Sequence, residues 1–116
     1  MRVGIVGSRR RKDKHKVIEL VDSLEPDTVI VSGGCRGVDT WAVERAKERG
    51  LKTEIYKPDL GKHLGRFDII NKYYERNKKI AQNSDIMYAF VAPDRRGGTE
   101  NTIKWAKKFG VEVVTK

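Results

Sequence analysis

Ser32-Gly33-Gly34-Cys35-Arg36-Gly37-Val38-Asp39 is the stretch from which the fold is read. Thr28-Val29-Ile30-Val31 precedes it, a short β-branched run with the signature of a buried strand. Val38, Trp41, Ala42 and Ala46 follow at helical spacing. The octapeptide is therefore a strand-to-helix turn, with glycines where the backbone bends or closely approaches another group. A helix N-terminus offers unpaired N–H groups and the positive end of its dipole, a favourable place for an anion. Arg36 adds a planar charged fork suited to phosphate or carboxylate. A tight turn whose arginine faces water is the alternative, and this stretch alone leaves the two open.

Repetition favours the anion site. Val3-Gly4-Ile5-Val6 is another apolar strand and runs into Gly7-Ser8-Arg9-Arg10. Ile86-Met87-Tyr88-Ala89-Phe90-Val91 is a third, followed by Pro93 and then Gly97-Gly98-Thr99. In a parallel sheet such turns all fall on the carboxyl edge, where open α/β folds bind ligands. Three anion-friendly turns on one edge make one site.

The remaining elements extend the alternation. A first helix carries Val17, Leu20, Val21 and Leu24 on one stripe, and Pro26-Asp27 turns the chain into the second strand. The second helix runs from about Val38 to Arg49 and ends at Gly50. Leu51 to Tyr56 is a more polar, alternating strand suited to a sheet edge, and residues 57–65 are expected to form a loop. A third helix is expected over Phe67 to Gln82, a fourth strand over Asp85 to Val91, a fourth helix from Gly98 or Thr99, and a last strand over Val111 to Thr115. Alternating strands and helices with right-handed crossovers give a three-layer, Rossmann-like α/β domain. Its five-stranded, mainly parallel sheet is expected in the order 3-2-1-4-5, as one domain over residues 1–116.

On the third helix Ile70, Tyr73, Tyr74, Ile80 and Ala81 form an apolar stripe, and Asn77 falls on it. A buried amide without partners is costly, so Asn77 is expected to have fixed ones, with Arg76 directed to the same crevice. Trp41 and Trp105 are expected to be core or dimer contacts rather than stacking platforms for bases, and Tyr73 and Tyr74 likewise. Cys35, the single cysteine, is read as a small packing residue; it excludes an internal disulfide. His15 and His63 lack companions at ligand spacing, so no metal and no cofactor are expected.

Composition limits the partners. Charged residues make up 35% of the chain, and Lys+Arg of 25 against Asp+Glu of 16 gives a net charge of +9. That balance favours polyanions such as nucleotides or nucleic acid, although many of the cations sit on helix faces beside acids. No apolar run is long enough to span a bilayer, and the N-terminus lacks the apolar core of a signal peptide. The expected location is the cytoplasm, without membrane attachment.

Together, Gly7-Ser8-Arg9, the octapeptide from Ser32 to Asp39, Arg76-Asn77-Lys78-Lys79-Ile80 and Gly97-Gly98-Thr99-Glu100-Asn101-Thr102-Ile103 resemble the SLOG superfamily. That group joins the Smf/DprA DNA-processing proteins and the Lonely Guy (LOG) proteins. The likeness is greatest to its small stand-alone YspA/YpsA-related members. The resemblance implies a Rossmann-like domain, often dimeric, that binds a nucleotide or nucleotide-derived ligand. The matched ligand positions are Gly7, Ser8, Arg9, Ser32, Gly33, Gly34, Arg36, Asp39, Arg76, Asn77, Gly97, Gly98 and Thr99.

Two departures bear on function. The phosphoribohydrolase branch has a glutamate where this chain has Lys104, so the acid expected in N-glycoside cleavage is missing. The DNA-processing branch carries its motif inside a longer chain. The leading expectation is a sensor or carrier module without chemistry of its own. A nucleotide N-glycosidase is the alternative, with Glu100 or Asp39 as the only acids inside the matched turns. Single-stranded DNA binding is a third reading, counted against by the lack of exposed aromatics interleaved with the basic residues.

Overall fold

The computed structural model describes residues 1–61 and 64–116. Five strands and four helices alternate: β1 (Arg2–Gly7), α1 (Lys14–Asp22), β2 (Val29–Ser32), α2 (Val38–Glu48), β3 (Lys52–Ile55), α3 (Arg66–Gln82), β4 (Ile86–Phe90), α4 (Gly98–Lys108) and β5 (Glu112–Thr115). The sheet runs β3-β2-β1-β4-β5 with every neighbouring pair parallel. This is the order read from the sequence. Lys62 and His63, part of the expected loop, lie outside the described residues.

β1 is central, so both its faces are covered and its residues from Val3 to Val6 are buried. Val3 pairs with Ile30 on one side and Ile86 on the other. On one face Val17 and Val21 of α1 and Val38, Ala42 and Ala46 of α2 pack on Val3, Ile5 and Ile30. On the other, Ile80 and Ala81 of α3 and Ile103 and Ala106 of α4 pack on Val6, Val31, Met87 and Ala89. Trp41 lies against the first cluster and Trp105 against the second. β3 and β5, with one neighbour each, form the edges and stay partly exposed.

One expectation fails in α3. Only its second half is buried, through Arg76, Asn77, Ile80 and Ala81. Ile70 is 38% exposed, Tyr74 45% and Phe67 81%, so the first half of the stripe is not core. Length explains this. The 17 residues of α3 span about 25 Å. The five of β4 span about 17 Å. α3 starts on the carboxyl side of the sheet, so its first two turns overhang that edge. The overhang creates the wall of the site.

Candidate functional site

The turns after β1, β2 and β4 converge beneath this overhang. They enclose a cavity of about 660 Å³. Gly7, Ser8 and Arg9 contribute from the first turn, Cys35 and Asp39 from the second, and Gly97, Gly98 and Thr99 from the third. Arg76 and Asn77 project from α3. Ile70, Tyr73 and Tyr74 of α3 supply an apolar part of the lining. Sequence reading placed both tyrosines in the core or at a dimer contact. The signal that could have found them is helix length, since an apolar stripe longer than its strand has to overhang.

The turn into α2 is self-contained. Asp39 is 4% exposed, and its carboxylate accepts N–H bonds from Gly33 at 3.1 Å and from Cys35 at 3.4 Å. Burial pushes the Asp39 carboxyl up to about 6, against the opposing pull of those N–H groups and the nearby Arg76 guanidinium. Arg76 is 6% exposed. It donates to the Gly33 carbonyl at 2.7 Å and to Asn77 Oδ1 at 3.0 Å, with longer contacts to the Tyr56 carbonyl and Cys35 Sγ. Asn77 in turn donates to Asn101 Oδ1 at 3.2 Å and reaches the Gly98 carbonyl at 3.5 Å. This buried chain ties the second turn, α3 and the third turn together. Gly33 is required for it: a Cβ there would lie 2.6 Å from Arg76 Nη1 and 3.1 Å from Asp39 Oδ2.

The turn into α4 is open. Gly97 adopts φ +113, a conformation that favours glycine, and leads into the helix at Gly98. The N–H groups of Gly98 and Thr99 have no acceptor among the described residues. A Cβ on Gly98 would meet nothing within 4 Å, so space lies in front of them. Glu100 turns away from the cavity and forms a two-point fork with Arg95, at 2.9 and 3.0 Å.

The other candidates divide. Ser32 is fully buried and donates to the Ile5 carbonyl at 2.9 Å, tying β2 to β1 away from the cavity. Gly33, Gly34 and Arg36 line an adjoining depression of about 360 Å³ rather than the main cavity. Arg2, Arg10, Arg11, Arg45 and Arg95 are each paired with a carboxylate. Arg9 and Arg96 on the main cavity and Arg36 on the depression have no such partner among the described residues. Among the described residues no three His, Cys, Asp or Glu side chains gather as a metal site would need. No helix there is long and apolar enough to cross a membrane.

These features define a Rossmann-like α/β domain with a cavity at the carboxyl edge of its parallel sheet, on the crevice between β1 and β4. The chain belongs to the YspA, cpYpsA-related SLOG family, whose model matches residues 1–63. That match contains the first two turns and stops short of Arg76, Asn77 and the Gly97-Gly98-Thr99 turn. No curated protein matches the sequence. Among solved structures, DNA processing protein A (DprA) from Streptococcus pneumoniae superimposes with a TM-score of 0.80 at 23% identity. The alignment covers 98% of this chain and 49% of that one, so the chain spans about half its length. The C-terminal domain of a Pyrococcus furiosus hydrogenase aligns with a TM-score of 0.54 at 12% identity, covering 99% of this chain and 90% of that one. At these identities the likeness is one of fold.

Proposed function

We propose that the protein binds a nucleotide or nucleotide-derived molecule in the main cavity, as a sensor or carrier module. The observation that carries this reading is the pairing of unlike walls. Open α4 amides and the uncommitted guanidiniums of Arg9 and Arg96 make the polar wall, and Ile70, Tyr73 and Tyr74 add an apolar one to the same lining. A phosphate suits the first wall and the flat face of a base the second. The volume falls within the range of small-molecule sites. The acids weigh against hydrolysis. Glu100 is forked to Arg95 outside the cavity lining, and Asp39 is occupied by its own turn. Thermal-shift titration with nucleoside mono-, di- and triphosphates tests the reading. Stabilisation by at least one is expected; none by any nucleotide or phosphosugar would sink it.

A second reading has its own observation. Tyr74 is 45% exposed and shares the cavity lining with Arg9, Arg10 and Arg96, and Phe67 on the same helix is 81% exposed; exposed aromatics of this kind are the stacking surface that single-strand binding calls for. The fold neighbour from Streptococcus pneumoniae, a DNA processing protein, adds to this reading. Oligonucleotide binding that grows with length and survives physiological salt would favour it over a small ligand. A homodimer remains part of the proposal, and its test is mass by light scattering at two concentrations.

A further inference from the structure

The depression beside the main cavity concentrates positive charge with nothing to neutralise it. Arg9, Arg36, Lys57 and the buried Arg76 line it, and no acid is among its described lining residues. Arg9, Arg36 and Lys57 have no side-chain hydrogen bond or ion pair among the described residues. Elsewhere on this surface most arginines find a carboxylate, as Arg2, Arg10, Arg45 and Arg95 do. Like charges held together without a counter-charge repel one another and focus a field on the concavity they share. An anion bound there relieves that repulsion.

The depression has a floor and an apolar edge suited to such a group. Gly33 and Gly34 present backbone rather than side chain. Gly34 has φ +72, and a Cβ there would lie 2.9 Å from Ile55 Cγ2, so the floor cannot be filled by an ordinary residue. Pro58 and Leu60 supply the apolar edge. The depression also adjoins the main cavity: Arg9, Cys35, Tyr73 and Arg76 line both. Arg76 is held by the Gly33 carbonyl and Asn77 Oδ1, so the ridge between the two is fixed, whereas Arg36 and Lys57 are free to close on a ligand.

We infer that the depression is a second anion subsite and that the ligand carries two separated anionic groups. One belongs to the nucleotide unit in the main cavity. The other is a phosphate that crosses the Cys35–Tyr73–Arg76 ridge to Arg36 and Lys57. This rests on the nucleotide reading above and adds a requirement to it. The second phosphate has two chemical sources: the terminal phosphate of a nucleoside diphosphate, or the next phosphodiester of a short strand.

The test is isothermal titration of wild type and the Arg36→Ala/Lys57→Ala double variant. The probes are a nucleoside monophosphate, the matching diphosphate and the matching 5′-phosphorylated dinucleotide. Both substituted side chains are exposed and without partners, so the variant is expected to fold as wild type does. In wild type one of the two-anion probes should bind about tenfold or more tightly than the monophosphate. In the double variant that ratio should fall to about one. A gain confined to the diphosphate assigns the small-molecule source, and one confined to the dinucleotide assigns the strand; each supports the subsite. If the monophosphate binds and neither probe gains, or the gain survives in the variant, the subsite is wrong while the nucleotide reading stands. If no probe binds, both are wrong.

Discussion

At the turn into α2 the N–H groups of Gly33 and Cys35 meet the carboxylate of Asp39; at the turn into α4 those of Gly98 and Thr99 meet no protein acceptor among the described residues. The two turns look alike in sequence. Each pairs two glycines with an acid in the first turn of the following helix, Asp39 in α2 and Glu100 in α4. Their acids go opposite ways. The short Asp39 side chain folds back under its own turn, and the buried Arg76 sits close by. Glu100 is drawn outward by Arg95, which takes the positive φ of 55 just before the glycines. In α2 the carboxylate is spent on the loop amides that precede the helix, whereas no described side chain of the α4 turn folds back on the Gly98 and Thr99 amides in this way. The α2 turn braces the cavity, and the α4 turn stays open along its lining.

Removing the brace should have the largest effect. Arg76→Ala strips the Gly33 carbonyl and Asn77 of their buried donor, and should cost about 3 kcal/mol or more of folding stability. Gly33→Ala should act in the same direction, by steric contact with Arg76 and Asp39. Urea denaturation measures both, and near-wild-type midpoints would mean that the α2 turn is as open as the α4 turn.

The pH dependence of Asp39 comes next. Its carboxyl is raised to about 6 in the folded protein from an ordinary 3.8, chiefly by burial. Between those values the native state binds more protons than the unfolded chain. Stability from this group therefore rises as pH falls from 7 towards 4, and is lost as pH climbs through about 6. The full shift corresponds to about 3 kcal/mol. Asp13, Asp22, Glu54 and Asp94 are all held below their ordinary values, chiefly by hydrogen bonds from arginines, so their contribution has the opposite sign and is lost as pH falls. Unfolding of wild type and Asp39→Asn compared at pH 7, 6 and 5 isolates the contribution. The stability difference should move towards wild type on acidification; a flat difference would show that Asp39 is not the strained anion described here.

Gly98→Val sharpens the other side of the comparison. Open space around the Gly98 Cβ position predicts a folded variant. A branched side chain in front of the α4 amides should weaken nucleotide affinity by about tenfold. Calorimetric titration showing unchanged affinity would remove the α4 turn from the site.

The smallest effect is expected at Glu100. Its fork with Arg95 lies on the surface, where such pairs contribute little. Glu100→Gln should leave the denaturation midpoint and nucleotide affinity unchanged. Chromatography of free base from nucleoside monophosphates checks the remaining possibility. Release that depends on Glu100 would restore it as an acid of the site.

Much of the fold was legible because it rests on local periods. β-branched runs such as Val29 to Val31 and stripes such as Val17 and Val21 declare strand and helix within a few residues. Asn77 was also legible, as an amide on an apolar stripe. Less legible was which candidates share one cavity. Ser32 and Arg36 belong to the same octapeptide as Asp39, yet one is spent on the Ile5 carbonyl and the other faces the neighbouring depression. Consecutive residues in a tight turn point in different directions, so shared motif membership does not imply a shared wall.

The sequence by itself determined the alternation of strands and helices, the order of the sheet and the edge on which the glycine turns would meet. Those follow from hydrophobic period and from the handedness of crossovers, which act through near neighbours in the chain. Only the tertiary structure decided that Asp39 folds back on the Gly33 and Cys35 amides, that α3 overhangs the sheet as an aromatic wall, and that two cavities lie side by side. Each depends on where Asp39, Arg76 and Tyr73 stand relative to residues far from them in the chain. Burial and electrostatics across such distances follow from packing and carry no local signature.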